Sequence, residues 1–158
     1  MIGTFSPAKG THAQERYRHE GLRVKILNNL SFGTMVIGRD FEKRVSFADA
    51  SAGKAWVSGF DGDEMVTLNF FLPRYLSSDG HELEIDFDQN SAAWSTANDP
   101  GSATSFDPNS RLRLYGSKLA SGKLYLWIGG TILLNSHQAA GQYQGNIQVQ
   151  IDVDHNED

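Results

Sequence analysis

The sequence predicts an all-β domain, a sandwich or a barrel. Three observations point there. Apolar residues recur at period two in one segment after another, as in half-buried strands. Turn residues separate these segments, and the chain carries 16 glycines against 4 prolines. No stretch has the apolar stripe of an amphipathic helix. A length of 158 residues fits one domain. No repeat of fixed period suggests a propeller or solenoid.

The elements follow in order. Residues 1–21 are polar and irregular, punctuated by Pro7, Gly10 and Gly21, and read as an N-terminal arm, mobile or used in assembly. Leu22, Val24 and Ile26 then alternate with Arg23 and Lys25, as in a strand. Asn28-Asn29 marks a turn or bulge, and Leu30-Ser31-Phe32-Gly33 opens an extended piece running through Met35-Val36-Ile37 to Gly38. Arg44 to Phe47 is a short strand. Gly53 opens Ala55 to Phe60, and Asp61-Gly62 is a tight hairpin turn, because type I′ needs positive φ at both central residues. It leads into Met65 to Leu72, which Pro73 ends.

After the turn Ser78-Asp79-Gly80, Leu83, Ile85 and Phe87 alternate with Glu82, Glu84, Asp86 and Asp88. This is a strand with one buried face and one acidic, wet face. Residues 89–110 hold Trp94 and Phe106 as their only large apolar side chains. A structureless loop of that length is uncommon in a compact domain, so the segment is functional, mobile, or hides a short strand. Leu112 and Leu114 alternate with Arg111 and Arg113. Leu124, Leu126 and Ile128 alternate with Tyr125 and Trp127. Gly129-Gly130 interrupts, which predicts a bulge or a close backbone approach, and Ile132 to Leu134 resumes. Ala139-Ala140-Gly141 turns the chain into a long closing strand with Ile147, Val149, Ile151 and Val153 on one face. The count is about eight or nine strands. The organisation is an arm over 1–21, a β domain over 22–154 and an acidic tail over 155–158.

Composition excludes several functions. With no cysteine there is no disulfide framework, thiolate zinc site, iron–sulfur cluster or cysteine nucleophile. A net charge of −5, from 14 Lys and Arg against 19 Asp and Glu, argues against nucleic acid as a partner. The longest apolar run, Leu124 to Leu134, is broken by two glycines and falls short of the ~20 residues a spanning helix needs, so no membrane insertion is expected. No signal peptide is visible at the N-terminus.

Catalytic sets are also missing. The five histidines lie near termini or turns, with no Gly-x-Ser-x-Gly elbow beside them. Glu82, Glu84, Asp86 and Asp88 share a strand face, as paired glycosidase carboxylates could, but a solvated face that deters edge aggregation is the simpler account. No phosphate loop or dinucleotide fingerprint occurs, so no cofactor is expected. The oxygen ligands that calcium would take are Asp61, Asp63, Asp86 and Asp88. Turn chemistry accounts for the same residues, and no metal is assigned. Among the tryptophans, Trp56 reads as core. Trp127 shares a stripe with Tyr125. Trp94, in the long gap, is the best placed for an exposed contact, so Trp94 and Trp127 are the candidates for stacking on a sugar ring.

The ends carry opposite charge. Residues 1–25 hold five basic and two acidic residues, and residues 152–158 hold four acidic and no Lys or Arg. Opposite-signed ends can steer copies into head-to-tail contact, but ordinary solvated tails are the simpler account of the same charges.

A set of motifs resembles a known family. Leu30-Ser31-Phe32-Gly33 comes first, then Gly53 before an aromatic strand ending at Gly59, then Val66-Thr67-Leu68. Ile128-Gly129-Gly130-Thr131-Ile132 follows, and Ala140-Gly141-Gln142-Tyr143-Gln144-Gly145 precedes the closing strand. Over roughly residues 22–153 this order resembles the bacterial secreted proteins of domain-of-unknown-function family 4402. The resemblance implies an immunoglobulin-like, pilin-like β-sandwich. It also implies an exported, non-catalytic structural protein of the cell surface, such as a fimbria- or filament-like subunit. It brings no catalytic residues. The chain differs from the family in ending on Asp152-Val153-Asp154 rather than an aromatic residue.

The sequence therefore leads to a subunit that assembles with copies of itself. The expected contacts are Arg16, Tyr17 and Arg18 in the arm and Ile147, Val149, Ile151 and Val153 in the closing strand. The alternative is a module that binds surface glycans through Trp94 and Trp127.

Overall fold

The computed structural model of the chain describes residues 2–7, 22–60, 64–115, 119 and 122–155. It is an all-β sandwich of two sheets. Thirteen strands lie among the described residues: β1 (Ile2–Pro7), β2 (Arg23–Asn28), β3 (Phe41–Val45), β4 (Gly53–Ser58), β5 (Glu64–Phe71), β6 (Tyr75–Ser78), β7 (His81–Asp86), β8 (Ala92–Ser95), β9 (Thr104–Phe106), β10 (Leu112–Tyr115), β11 (Lys123–Ile128), β12 (Gly130–Leu134) and β13 (Gln144–His155). This exceeds the eight or nine expected. Short strands β8 and β9 occupy the long gap, with one 3-10 turn at Pro100–Ser102 between them. The arm is not irregular throughout, because residues 2–7 form β1. Conversely, Met35-Val36-Ile37 belongs to no strand.

The smaller sheet runs β2-β4-β11-β8-β9 and is antiparallel throughout. The larger sheet holds the other eight strands. Its middle line is a single strand broken in two. β5 pairs with β13 on one side and β10 on the other, while β6 meets β13 at Gln144 and pairs with β7 on its far side. Pro73 sits at the break, where a missing N–H cannot serve a ladder. Beyond β7 come β12 and then β3.

Three strand lines pass from one sheet to the other. β3 leads to β4, β7 to β8, and β11 to β12, so one three-stranded ribbon bends across the corner of the sandwich. The bend dictates Gly129. A Cβ there would lie 2.0 Å from the Val45 carbonyl oxygen, so only glycine lets the two lines cross so closely. The close approach predicted for the Gly129-Gly130 pair is thus present.

The core lies between the sheets. Leu124, Leu126 and Ile128 face Val66, Leu68, Ile132 and the closing strand, and Leu30 and Phe32 fill it from the segment after β2. The motif before β13 pins that strand. Tyr143 donates its hydroxyl hydrogen to the Ala139 carbonyl at 2.5 Å and accepts from Gln138 Nε2 at 2.9 Å, while Gln138 also donates to the Glu82 carbonyl at 2.8 Å.

Candidate functional site

The edge of the closing strand is the first candidate. β1 lies parallel to β13, with Ile2 opposite Gln144 and Pro7 opposite Val149. At Gln148 and Val149 the same strand also pairs with β5, so β1 occupies the opposite edge. β1 further approaches β2 and β4 of the smaller sheet. β1 therefore borders the sandwich where the two sheets meet. Nothing in residues 1–7 alternates, and this is why period-two reading missed it.

The predicted contact residues divide. Ile147, Val149, Ile151 and Val153 all point inward and are buried in the core. Contact between copies along β13 would therefore use its main chain and its outward row, Gln148, Gln150, Asp152 and Asp154. Arg16, Tyr17 and Arg18 lie outside the described residues.

The aromatic candidates are not displayed as an open stacking surface. Trp94 is in β8 rather than a loop. It sits opposite Leu126 and packs against the core, half-buried on the inner face. Trp127 is on the outer face of the smaller sheet but only 4% exposed. Its ring stacks on Tyr125 at 6.1 Å, and Lys54 Nζ lies 5.6 Å and 5.8 Å from the Tyr125 and Trp127 rings, so the cation covers the pair. Lys54 also donates to Asn98 Oδ1. Trp56, read as core, instead stands opposite Tyr125 on this outer face, half-buried.

Of the calcium candidates, Asp61 and Asp63 lie outside the described residues. Asp88 is committed elsewhere. Its Oδ2 accepts from Arg44 Nη1 at 2.7 Å, and its Oδ1 accepts from the Asn90 N–H at 2.8 Å and Ser91 Oγ at 3.2 Å. The Arg44 hydrogen bond, aided by the Asn90 N–H, holds the Asp88 carboxyl below the usual carboxylate range. Among the described residues, no group of three or more His, Cys, Asp or Glu side chains is placed to hold a metal ion.

Asp86 belongs to a different feature. The break between β5 and β6 opens a cleft of about 300 Å³ lined by Arg74, Tyr75, Glu84, Asp86 and Asn109, with Pro73 at its wall. Asn109 is fixed there by donating to the Phe87 carbonyl at 2.7 Å. Two carboxylates supply acceptors, a guanidinium supplies donors, and Tyr75 offers a ring that is partly exposed. The sequence placed the carboxylates on one face but gave no sign of Arg74, Tyr75 and Asn109. Pro73 signalled the end of a strand, and a four-residue strand just beyond it has no readable period.

No model of a known protein family matches the chain, and no curated protein matches it. Among the described residues no helix is long and apolar enough to cross a membrane.

Proposed function

We propose that the chain is a non-catalytic structural subunit of the bacterial cell surface that assembles with copies of itself after export. The pilin-like resemblance suggests the role, and one observation supports it most. β1 is held on the rim of the sandwich by parallel pairing to β13, and residues 8–22 join it to β2, so the chain carries both a strand to give and an edge to receive it. Residues 8–21 join β1 to residue 22 in sequence, and fourteen residues at full extension reach roughly 45–50 Å. If β1 of one copy occupied the β13 edge of the next, main-chain hydrogen bonds would join the subunits, as in strand addition generally. Such a polymer is held by strand pairing and needs no disulfide.

Removing residues 1–7 tests this. Wild-type chain should form ordered particles in electron micrographs and sediment as oligomers, and the truncated chain should remain monomeric. Wild-type chain that stays monomeric at high concentration and in native preparations would sink the proposal.

The cleft favours a second reading, a module that binds surface glycans. Neighbouring sugar hydroxyls suit carboxylate oxygens, and the C–H face of a pyranose suits an aromatic ring. On a glycan array, Tyr75→Ala should abolish binding in this case, whereas Trp94→Ala should act only through stability.

A further inference from the structure

The two sheets differ in charge. The five strands of the smaller sheet contain Arg23, Lys25, Lys54 and Lys123 and no Asp or Glu. The strands of the larger sheet contain seven acidic residues, one each in β3 and β5, three in β7 and two in β13. The four cations of the smaller sheet point away from the core, because they alternate with Val24, Ile26, Ala55, Val57, Leu124 and Leu126, which face inward. A chain of net charge −5 therefore has one sheet face whose strands carry positive charge alone.

Strand register sets these cations around Trp56. Lys25 and Tyr125 stand opposite it on either side, and Lys54 and Ser58 precede and follow it on the same face of β4. Arg23 and Lys123 both stand opposite Ser58, two strand spacings apart, which is roughly 10 Å. Arg23, Lys25 and Lys123 are exposed, and none of the four cations makes an ion pair among the described residues. The Trp56 Nε1–H is buried and has no acceptor. Buried donors are normally paired, so this N–H is one that a ligand oxygen would satisfy.

We infer that this face binds an acidic polysaccharide, a chain of sugars that bear carboxylates. The Lys and Arg side chains take the carboxylates, and Trp56 Nε1 donates to a sugar oxygen. Asn28, opposite Lys54, and Ser58 share the face and serve ring hydroxyls. Single-stranded nucleic acid would need open rings on which its bases stack. The face does not offer them, since Trp127 is only 4% exposed and Lys54 Nζ lies over the Tyr125 and Trp127 rings at 5.6 Å and 5.8 Å. The Tyr75 cleft belongs to the other sheet, and the inference does not depend on self-assembly.

Retention of the full chain on immobilised alginate, a polyuronate, tests it, with neutral dextran and single-stranded DNA as comparison matrices. The chain should bind alginate at low salt, elute as salt rises, and pass through dextran unretained. Lys25→Glu should weaken alginate binding about tenfold. Arg113→Glu makes the same charge change on the larger sheet and should stay within about twofold of wild type. Lys25 and Arg113 are both exposed, so these two variants should melt like the wild type. Trp56→Phe keeps a ring and removes the donor, and should weaken binding about fivefold with an unchanged salt dependence. No retention on alginate at low salt overturns the inference. Equal weakening by Lys25→Glu and Arg113→Glu also overturns it, because net charge would then be the cause. Tighter retention on DNA than on alginate makes the ligand class wrong, and unchanged binding by Trp56→Phe makes its centre wrong. If Tyr75→Ala abolishes alginate binding and Lys25→Glu does not, the cleft is the glycan site and this face is not. A chain that never assembles but shows the expected pattern keeps this inference and loses the strand-exchange proposal.

Discussion

Individual residues set the tightest constraints. Gly129 is the sharpest, because the atom that would clash with an added Cβ is a backbone oxygen and cannot swing aside. Gly129→Ala should therefore destabilise the fold by about 3 kcal/mol or more, at the upper end of overpacking costs, as read by urea unfolding. Arg44 and Asp88 make a smaller contribution at the surface. The folded-state pKa of Asp88 is lowered, so the pair stabilises above the ordinary carboxylate pKa and is lost as pH falls through the folded value. Both side chains are well exposed, which limits the gain to roughly 0.2–1 kcal/mol. Arg44→Ala should show that deficit in urea melts near pH 7, and the gap to wild type should narrow as the pH falls below the ordinary carboxylate range. An unchanging gap would assign the effect to packing of the arginine stem.

Elements differ in how plainly the sequence announces them. β7 and β13 were legible because each alternates against water on one face, and their buried residues are those the period predicts: Leu83 and Ile85, then Ile147 to Val153. β8 and β9 were not, since Ala92-Ala93-Trp94-Ser95 and Thr104-Ser105-Phe106 are short and largely small or polar. Their strand state comes from β11, which supplies the ladder for β8, and β8 in turn for β9. Met35-Val36-Ile37 failed in the opposite direction, having strand composition without a neighbouring strand. The candidate edge is legible only in half. The closing strand alternates plainly, but its apolar residues serve the core, and the strand that borders it, residues 2–7, has no period to read. Trp94 shows the same logic. In a loop it would be a ligand contact, but on the inner face of β8 it is packing. Trp94→Ala should cost about 3 kcal/mol in chemical denaturation, and a variant of wild-type stability would return Trp94 to the surface.

At the scale of the whole molecule, the bent ribbon decides how the two sheets share their stability. Two sheets that only stacked could separate and unfold in sequence. Here β3–β4, β7–β8 and β11–β12 each cross the corner, so three neighbouring strands of one sheet run on through the chain into three neighbouring strands of the other. The tryptophans allow a direct test. Trp56, Trp94 and Trp127 lie in β4, β8 and β11, all in the smaller sheet, so fluorescence reports that sheet, while far-ultraviolet circular dichroism reports both. If the ribbon couples the sheets, the two signals should give coincident urea midpoints, as a single cooperative transition requires. An earlier fluorescence midpoint would mean that the smaller sheet detaches on its own. In Gly129→Ala, where the clash falls at the crossing itself, the midpoints should drop together. Midpoints that separate only in this variant would place the coupling at the corner, with Gly129 as the residue that permits it.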